Sequence, residues 1–336
     1  MSSSRLCLIA IALLLLGWSD RFGFYQSSVT CALSATDTVP GILSLPLAKD
    51  IFEFHSCTFS SKPSSDAVLK TLFPGKFYKY VSPLNEKDSI AFSAWTSPSS
   101  APKAFPQTIT DDGALAFPLD KGNQTLIKDF ITYSDADGVQ HLLVSFSSTE
   151  IVPDLLFTGR FSCAVLGLAL FSESKGSWVL QAFSPGIGCY GSYQTIPTLH
   201  LQKINKTGFG CYFEDINGGA GGPFYGNLFL FAPQGHQFKQ VLAKAGSIRT
   251  GSSEGWETTI QCDAASGDSL FSDLKLKTEG NYSLLEFKTS EDDTSNIPRG
   301  IKGYAKRINK FHFEVSEVFK YEDGQYLFYK EEVGVK

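Results

Sequence analysis

Apolar residues in this chain come in short runs, each closed by a turn rich in Asp, Asn or Gly. Ile131-Thr132-Tyr133 leads through Ser134-Asp135-Ala136-Asp137-Gly138 to Leu142-Leu143-Val144. Leu199 to Ile204 alternates, Asn205-Lys206-Thr207-Gly208 turns, and Phe209 to Phe213 returns; Phe311–Lys320 and Tyr326–Lys330 flank Glu322-Asp323-Gly324 in the same way. Such runs are too short for amphipathic helices and match strand, turn, strand. No βαβ alternation interrupts them. The expectation is therefore an all-β chain of antiparallel hairpins with at most one or two short helices. One helix is expected where Ser65 or Asp66 caps Ala67 to Phe73 and Pro74 stops it.

Two of these hairpins resemble each other. Leu168-Ala169-Leu170-Phe171 is followed seven residues later by Trp178, and Leu228-Phe229-Leu230-Phe231 is followed seven residues later by Phe238, with the copies 60 residues apart. Repeated strand units of this size favour propeller-like sheets over a sandwich, with Trp178 and Phe238 in equivalent core slots. Charged residues are 19% of the chain and aromatics 13%, so a disordered chain is excluded. A net charge of −5 lacks the basic footprint of a nucleic-acid binder.

The N-terminus reads as an address. Arg5 precedes Leu6–Gly17, a run of 12 apolar and small residues. That fits a secretory signal peptide and falls short of the roughly 20 residues needed to span a bilayer. Small residues place cleavage after Ser19, or as late as Ser34, leaving an exported β-rich region over 36–336 with its repeat-like part at about 130–262. The localisation expected is secreted or periplasmic, with membrane contact only through the signal or an uncleaved anchor. Cys31, Cys57, Cys163, Cys189, Cys211 and Cys262 are disulfide candidates in an oxidising compartment, and their pairing is not fixed by spacing. None has zinc-site spacing.

The stretch from His141-Leu142-Leu143-Val144 through Cys163–Phe171, Gly176-Ser177-Trp178, Gly186-Ile187-Gly188, Gly191 and Gly226-Asn227-Leu228-Phe229-Leu230 resembles a loosely defined group of exported bacterial β-rich proteins of no assigned activity. The resemblance implies compartment and fold, and contributes no chemistry. Those proteins carry a Cys-His-x-Cys cluster where this chain has Arg160-Phe161-Ser162-Cys163, so no disulfide pattern carries over.

Four local patterns bear on chemistry. Gly251-Ser252-Ser253-Glu254-Gly255 matches a nucleophile elbow, but Trp256 to Ile260 after it reads as strand, not helix, so a Gly/Ser loop is the better account. If the serine were real, its base would come from His55, His141, His200, His236 or His312. Asp135 and Asp137 before Gly138 present carboxylates as a Ca2+ loop does, although the following residues add few oxygens and a tight turn uses the same residues. Asn217-Gly218, Gly221 and Phe224-Tyr225 bracket a glycine-rich loop whose aromatics, if exposed, offer a contact surface for a protein, peptide or glycan. Arg299, Lys302, Lys306, Arg307 and Lys310 form a basic run that normally marks a solvated face. Sequons occur at Asn123, Asn205 and Asn281.

The reading that follows is an exported, non-enzymatic binding or surface/periplasmic interaction protein with no cofactor, Ca2+ being the one candidate. A secreted hydrolase with a site assembled from distant residues is the alternative. A structural component of a surface assembly, marked by an apolar patch or an open strand edge, is the third.

Overall fold

Alternation of side chains along β17 (Lys310–Glu322) shows how the chain builds its sheets. Phe311, Phe313, Val315 and Phe319 are buried, while Lys310, Glu314 and their alternate neighbours turn outward. One face is core and one is water, as an antiparallel surface sheet requires. The computed structural model describes residues 44–47, 50–82, 85–97, 107–110, 113–119, 121–151, 162–205, 208–218, 224–250, 255–262, 272–283, 297–305, 307, 308 and 310–336. The N-terminal segment expected to be a signal peptide, Cys31, Gly221 and Ser252 to Glu254 lie outside these residues.

The chain runs β1 (Leu45–Pro46), β2 (Thr58–Phe59), α1 (Ser65–Leu72), β3 (Lys76–Ser82), β4 (Asn85–Thr96), β5 (Gln107–Thr110), β6 (Gly113–Ala116), β7 (Asn123–Ser134), β8 (Gln140–Glu150), β9 (Ala164–Ser174) and β10 (Ser177–Tyr190). It continues β11 (His200–Lys203), β12 (Phe209–Gly218), β13 (Phe224–Gln234), β14 (Gln237–Thr250), β15 (Trp256–Cys262), β16 (Leu274–Ser283), α2 (Lys302–Ala305), β17 and β18 (Gln325–Val335). The first sheet is ordered β1-β4-β7-β8-β9-β10-β2, with β3 also on β4. The second is a meander from β11 to β18, and among the described residues β5 pairs with β6 alone. The all-β architecture is as expected.

At its centre, along β8, sheet one is buried on both faces. Leu142, Val144 and Phe146 of β8 point into a cluster with α1, Phe73 and Trp95. Leu143, between them, packs against Cys211, Phe213 and Phe231 of the second sheet. Burial on both sides explains why β8 reads as nearly continuous apolar sequence. Helix α1 starts where Ser64 Oγ accepts from Ala67 N at 3.3 Å, and it seats Val68, Leu69 and Leu72 on this sheet. The capping residue is Ser64, one position before Ser65 and two before Asp66, the two expected caps.

Sheet two curls into a half-barrel. Among the described residues, strands β14 and β15 pair at one position, Arg249 with Trp256. Beyond that joint β15–β18 fold back over β11–β14. Leu228, Leu230 and Leu242 from one half meet Leu274, Leu276 and Phe319 from the other. Gln234 Nε2 on β13 donates to Tyr321 Oη on β17 at 2.7 Å and to Gly324 O at 2.8 Å. A segment at 297–305 closes the far end with Ile297 and Ile301 against Trp256 and Phe313.

The repeated hairpins do not build a propeller. Among the described residues both large sheets have eight strands, where blades have about four. One copy, β9–β10, lies in sheet one and the other, β13–β14, in sheet two. They stack through Phe183 N to His236 O at 2.9 Å and Phe238 N to Ser184 Oγ at 2.8 Å. Trp178 and Phe238 are both buried, but in different cores. The shared pattern is the common grammar of an antiparallel hairpin.

Candidate functional site

The turn between β7 and β8 is built by Asp135. Its Oδ1 accepts from Asp137 N at 3.0 Å and Val139 N at 2.9 Å, and Gly138 supplies a φ of +81°. Its Oδ2 lies 2.9 Å from His141 Nε2. Asp135 is thus committed to protein donors, and the Asp135-Ala136-Asp137-Gly138 pattern forms a hydrogen-bonded turn. The His141 bond, with help from the backbone N–H groups, holds the Asp135 carboxyl below its ordinary pKa.

His141 continues the chain to a residue the sequence reading did not single out. Its Nδ1 lies 2.8 Å from Ser172 Oγ on β9, directly opposite in register. Tyr133 stacks on the imidazole with centroids 5.0 Å apart, and burial pushes its phenol pKa up. Ser172, His141 and Asp135 therefore form the series of contacts found in hydrolytic triads. The ring nitrogens are used in the opposite sense, with serine on Nδ1 and aspartate on Nε2. Ser172 is also an interior residue of β9, paired with His141 on one side and Val179 on the other. Ladder pairing occupies backbone N–H groups that an oxyanion hole would need to present. Chemically, this is a cross-strand polar link at the rim where the two sheets meet. Its sequence signal was a serine breaking the alternation Leu168, Leu170, Ser172 on a core face.

Of the glycine-rich loop and its flanks, Asn217, Gly218, Phe224 and Tyr225 lie within the described residues. Asn217 and Gly218 end β12 and pair with Tyr225 and Phe224 of β13. Both aromatics are half-buried, and Tyr225 packs on Trp256 at 6.4 Å. Gly226 is required there because an added Cβ would lie 2.1 Å from Ile248 Cγ2.

Exposed aromatic surface gathers instead on β18, the last strand of sheet two. Leu327, Phe328 and Tyr329 are 39%, 38% and 57% exposed. Opposite them Val318 pairs with Lys330 and Phe319 with Phe328, so Tyr329 is the extra residue of a β-bulge and is turned out. The Arg299 guanidinium sits 4.8 Å from the Phe328 ring and Lys320 Nζ 3.8 Å from that of Tyr329. Among the described residues no strand pairs with the outer edge of β18. Around the corner, Glu279, His312, Glu314, Ser316, Glu332 and Lys336 line a shallow cavity of about 340 Å³. Lys277 bridges Glu279 at 3.2 Å and Glu314 at 3.3 Å, which raises the lysine pKa and lowers that of Glu279.

Of the cysteine candidates, Cys163 and Cys189 form a disulfide joining the start of β9 to the end of β10. Cys211 is instead a free thiol, fully buried between the sheets, and desolvation pushes its pKa far up. Asn123 is fully buried with Oδ1 accepting from Leu119 N at 3.0 Å, so its sequon serves the fold. Asn281 is exposed and accepts from His312 Nδ1 at 3.1 Å. No helix among the described residues is long and apolar enough to cross a membrane. Fold and surface define an all-β protein with an open edge strand. Comparison with family models, curated proteins and solved structures finds no match to it.

Proposed function

We propose that this is an exported, non-enzymatic interaction protein that takes up an extended segment of a protein partner along the edge of β18. One observation carries the reading: an 11-residue edge strand with Leu327, Phe328 and a bulged Tyr329 exposed beside it. Unpaired strand edges offer a ready row of N–H and C=O groups, and proteins ordinarily cover or blunt them. Strand addition takes its affinity from those groups and its selectivity from flanking side chains. Here the flank is aromatic, with Arg299 and Lys320 already stacked on the rings. The leader-like N-terminus and the Cys163–Cys189 disulfide support a secreted or periplasmic setting.

The test is selection from a displayed library of random extended peptides on the mature protein, read by backbone hydrogen exchange. Selected peptides are expected to slow exchange along 325–335 and to lose at least tenfold in affinity for Tyr329→Lys. Peptides that protect some other surface, or a library that yields no binder, would overturn the reading.

A further inference from the structure

The interior of the half-barrel holds two charged side chains that the interaction surface does not use. Lys244 lies on β14 opposite Leu228, and Glu317 lies on β17 opposite Leu276. Their side chains are 8% and 3% exposed, and Lys244 Nζ is in direct contact with Glu317 Oε2. The contact does not have hydrogen-bond geometry, since Glu317 Oε2 is among the buried atoms with no hydrogen-bond partner. Their register partners Leu228 and Leu276 belong to one buried apolar cluster with Leu242 and Phe319. A buried ion pair is favourable only when its remaining protons and lone pairs find further hydrogen bonds. Here Glu317 Oε2 finds none.

We infer that Lys244 and Glu317 condense to an intramolecular amide that staples β14 to β17 across the inside of the half-barrel. One proton passes from the Lys244 ammonium to the Glu317 carboxylate, leaving an amine beside a carboxylic acid. The Nζ lone pair adds to Cδ, and the adduct expels water. The N–Cδ bond forms and one Cδ–O bond breaks; nitrogen gives up two hydrogens and carbon one oxygen, so no oxidant or cofactor takes part. Two reactants fixed in contact react at an effective concentration far above any free in solution. The apolar enclosure favours the neutral amide over the two ions and favours departure of the water. Strands β14 and β17 are separated in the sheet by β15 and β16, so the bond ties together the two layers that the curl brings face to face.

The experiment is the intact mass of the exported full-length protein, fully reduced and measured against the mass calculated from its observed N-terminus. The expected value is lower by one water, about 18 Da, and a protease digest is expected to yield a branched peptide joining Lys244 to Glu317. The full calculated mass with linear peptides covering both residues would overturn the inference. Lys244→Arg keeps the positive charge but removes the nucleophilic amine, and is expected to restore the full mass. A deficit that persists in this variant places the loss elsewhere and also overturns it. Should Lys244→Arg fail to fold, the branched peptide from the unmodified chain remains decisive.

Discussion

His141 Nε2 lies 2.9 Å from Asp135 Oδ2, so a turn residue and a strand residue six positions apart share one hydrogen bond. Asp135 also accepts from two backbone N–H groups, and Asp135→Ala removes all three acceptor contacts. The expected cost is about 1–2 kcal/mol in chemical unfolding. Because the folded carboxyl is held below its ordinary 3.8, its contribution is present above that value and is lost as pH falls through the depressed one. The gap between the parent protein and Asp135→Ala should thus be constant at neutral pH and close below pH 3.8. A gap unchanged at pH 2 would refute this assignment.

Ser172 should be inert as a nucleophile despite its contact with His141. The serine is flanked by paired strands on both sides and sits on the Nδ1 side of the ring. A fluorophosphonate probe, which reports activated serines, is expected to leave Ser172 unlabelled at pH 7–8. Stoichiometric labelling there, abolished by His141→Ala, would restore the hydrolase reading.

The Cys163–Cys189 bond closes a loop of 26 residues. Constraining that loop in the unfolded chain contributes about 3 kcal/mol. Cys163→Ala/Cys189→Ala should lower stability by that order in denaturant titration. Cys211 should behave oppositely toward reagents. Its thiol is fully buried, so iodoacetamide should modify it only after denaturation. Fast labelling of Cys211 in the native protein would show that the two sheets open there.

Local pattern carried the elements and failed at the assembly. The hairpins at 131–144 and 311–330 were legible because turn chemistry and period-two alternation act within about ten residues. Helix α1 was legible from its apolar run and Pro74, while its cap, Ser64, precedes the expected Ser65 or Asp66. The stacking of β9–β10 on β13–β14 was not, since two hairpins with one grammar can be neighbours in a sheet or partners across a core. Phe224 and Tyr225 are expected near a contact surface because a glycine-rich loop precedes them, and nothing local reveals that Tyr225 packs on Trp256. Ser172 joins Asp135 only through strand register, which the sequence does not specify. Tyr329 is exposed because of a bulge against Val318 and Phe319, again a matter of register.

Asp215 offers a test of burial free of catalysis. Desolvation raises its carboxyl pKa above the usual value, and the hydrogen bond from Gly191 N at 2.8 Å offsets this only in part. A raised acid stabilises the fold most below its unfolded value of 3.8, and the contribution is lost as pH rises through the folded value. At neutral pH the buried charge is therefore a liability. Asp215→Asn keeps an acceptor for Gly191 N and removes the charge, so it should stabilise the protein by up to about 1 kcal/mol at pH 7. The benefit should shrink as pH falls toward 4, where the parent carboxyl takes up its proton. Thermal melts of both proteins from pH 4 to 8 measure this directly. A variant less stable than the parent across that range would mean that the Asp215 charge meets a favourable field, and that its burial serves the fold.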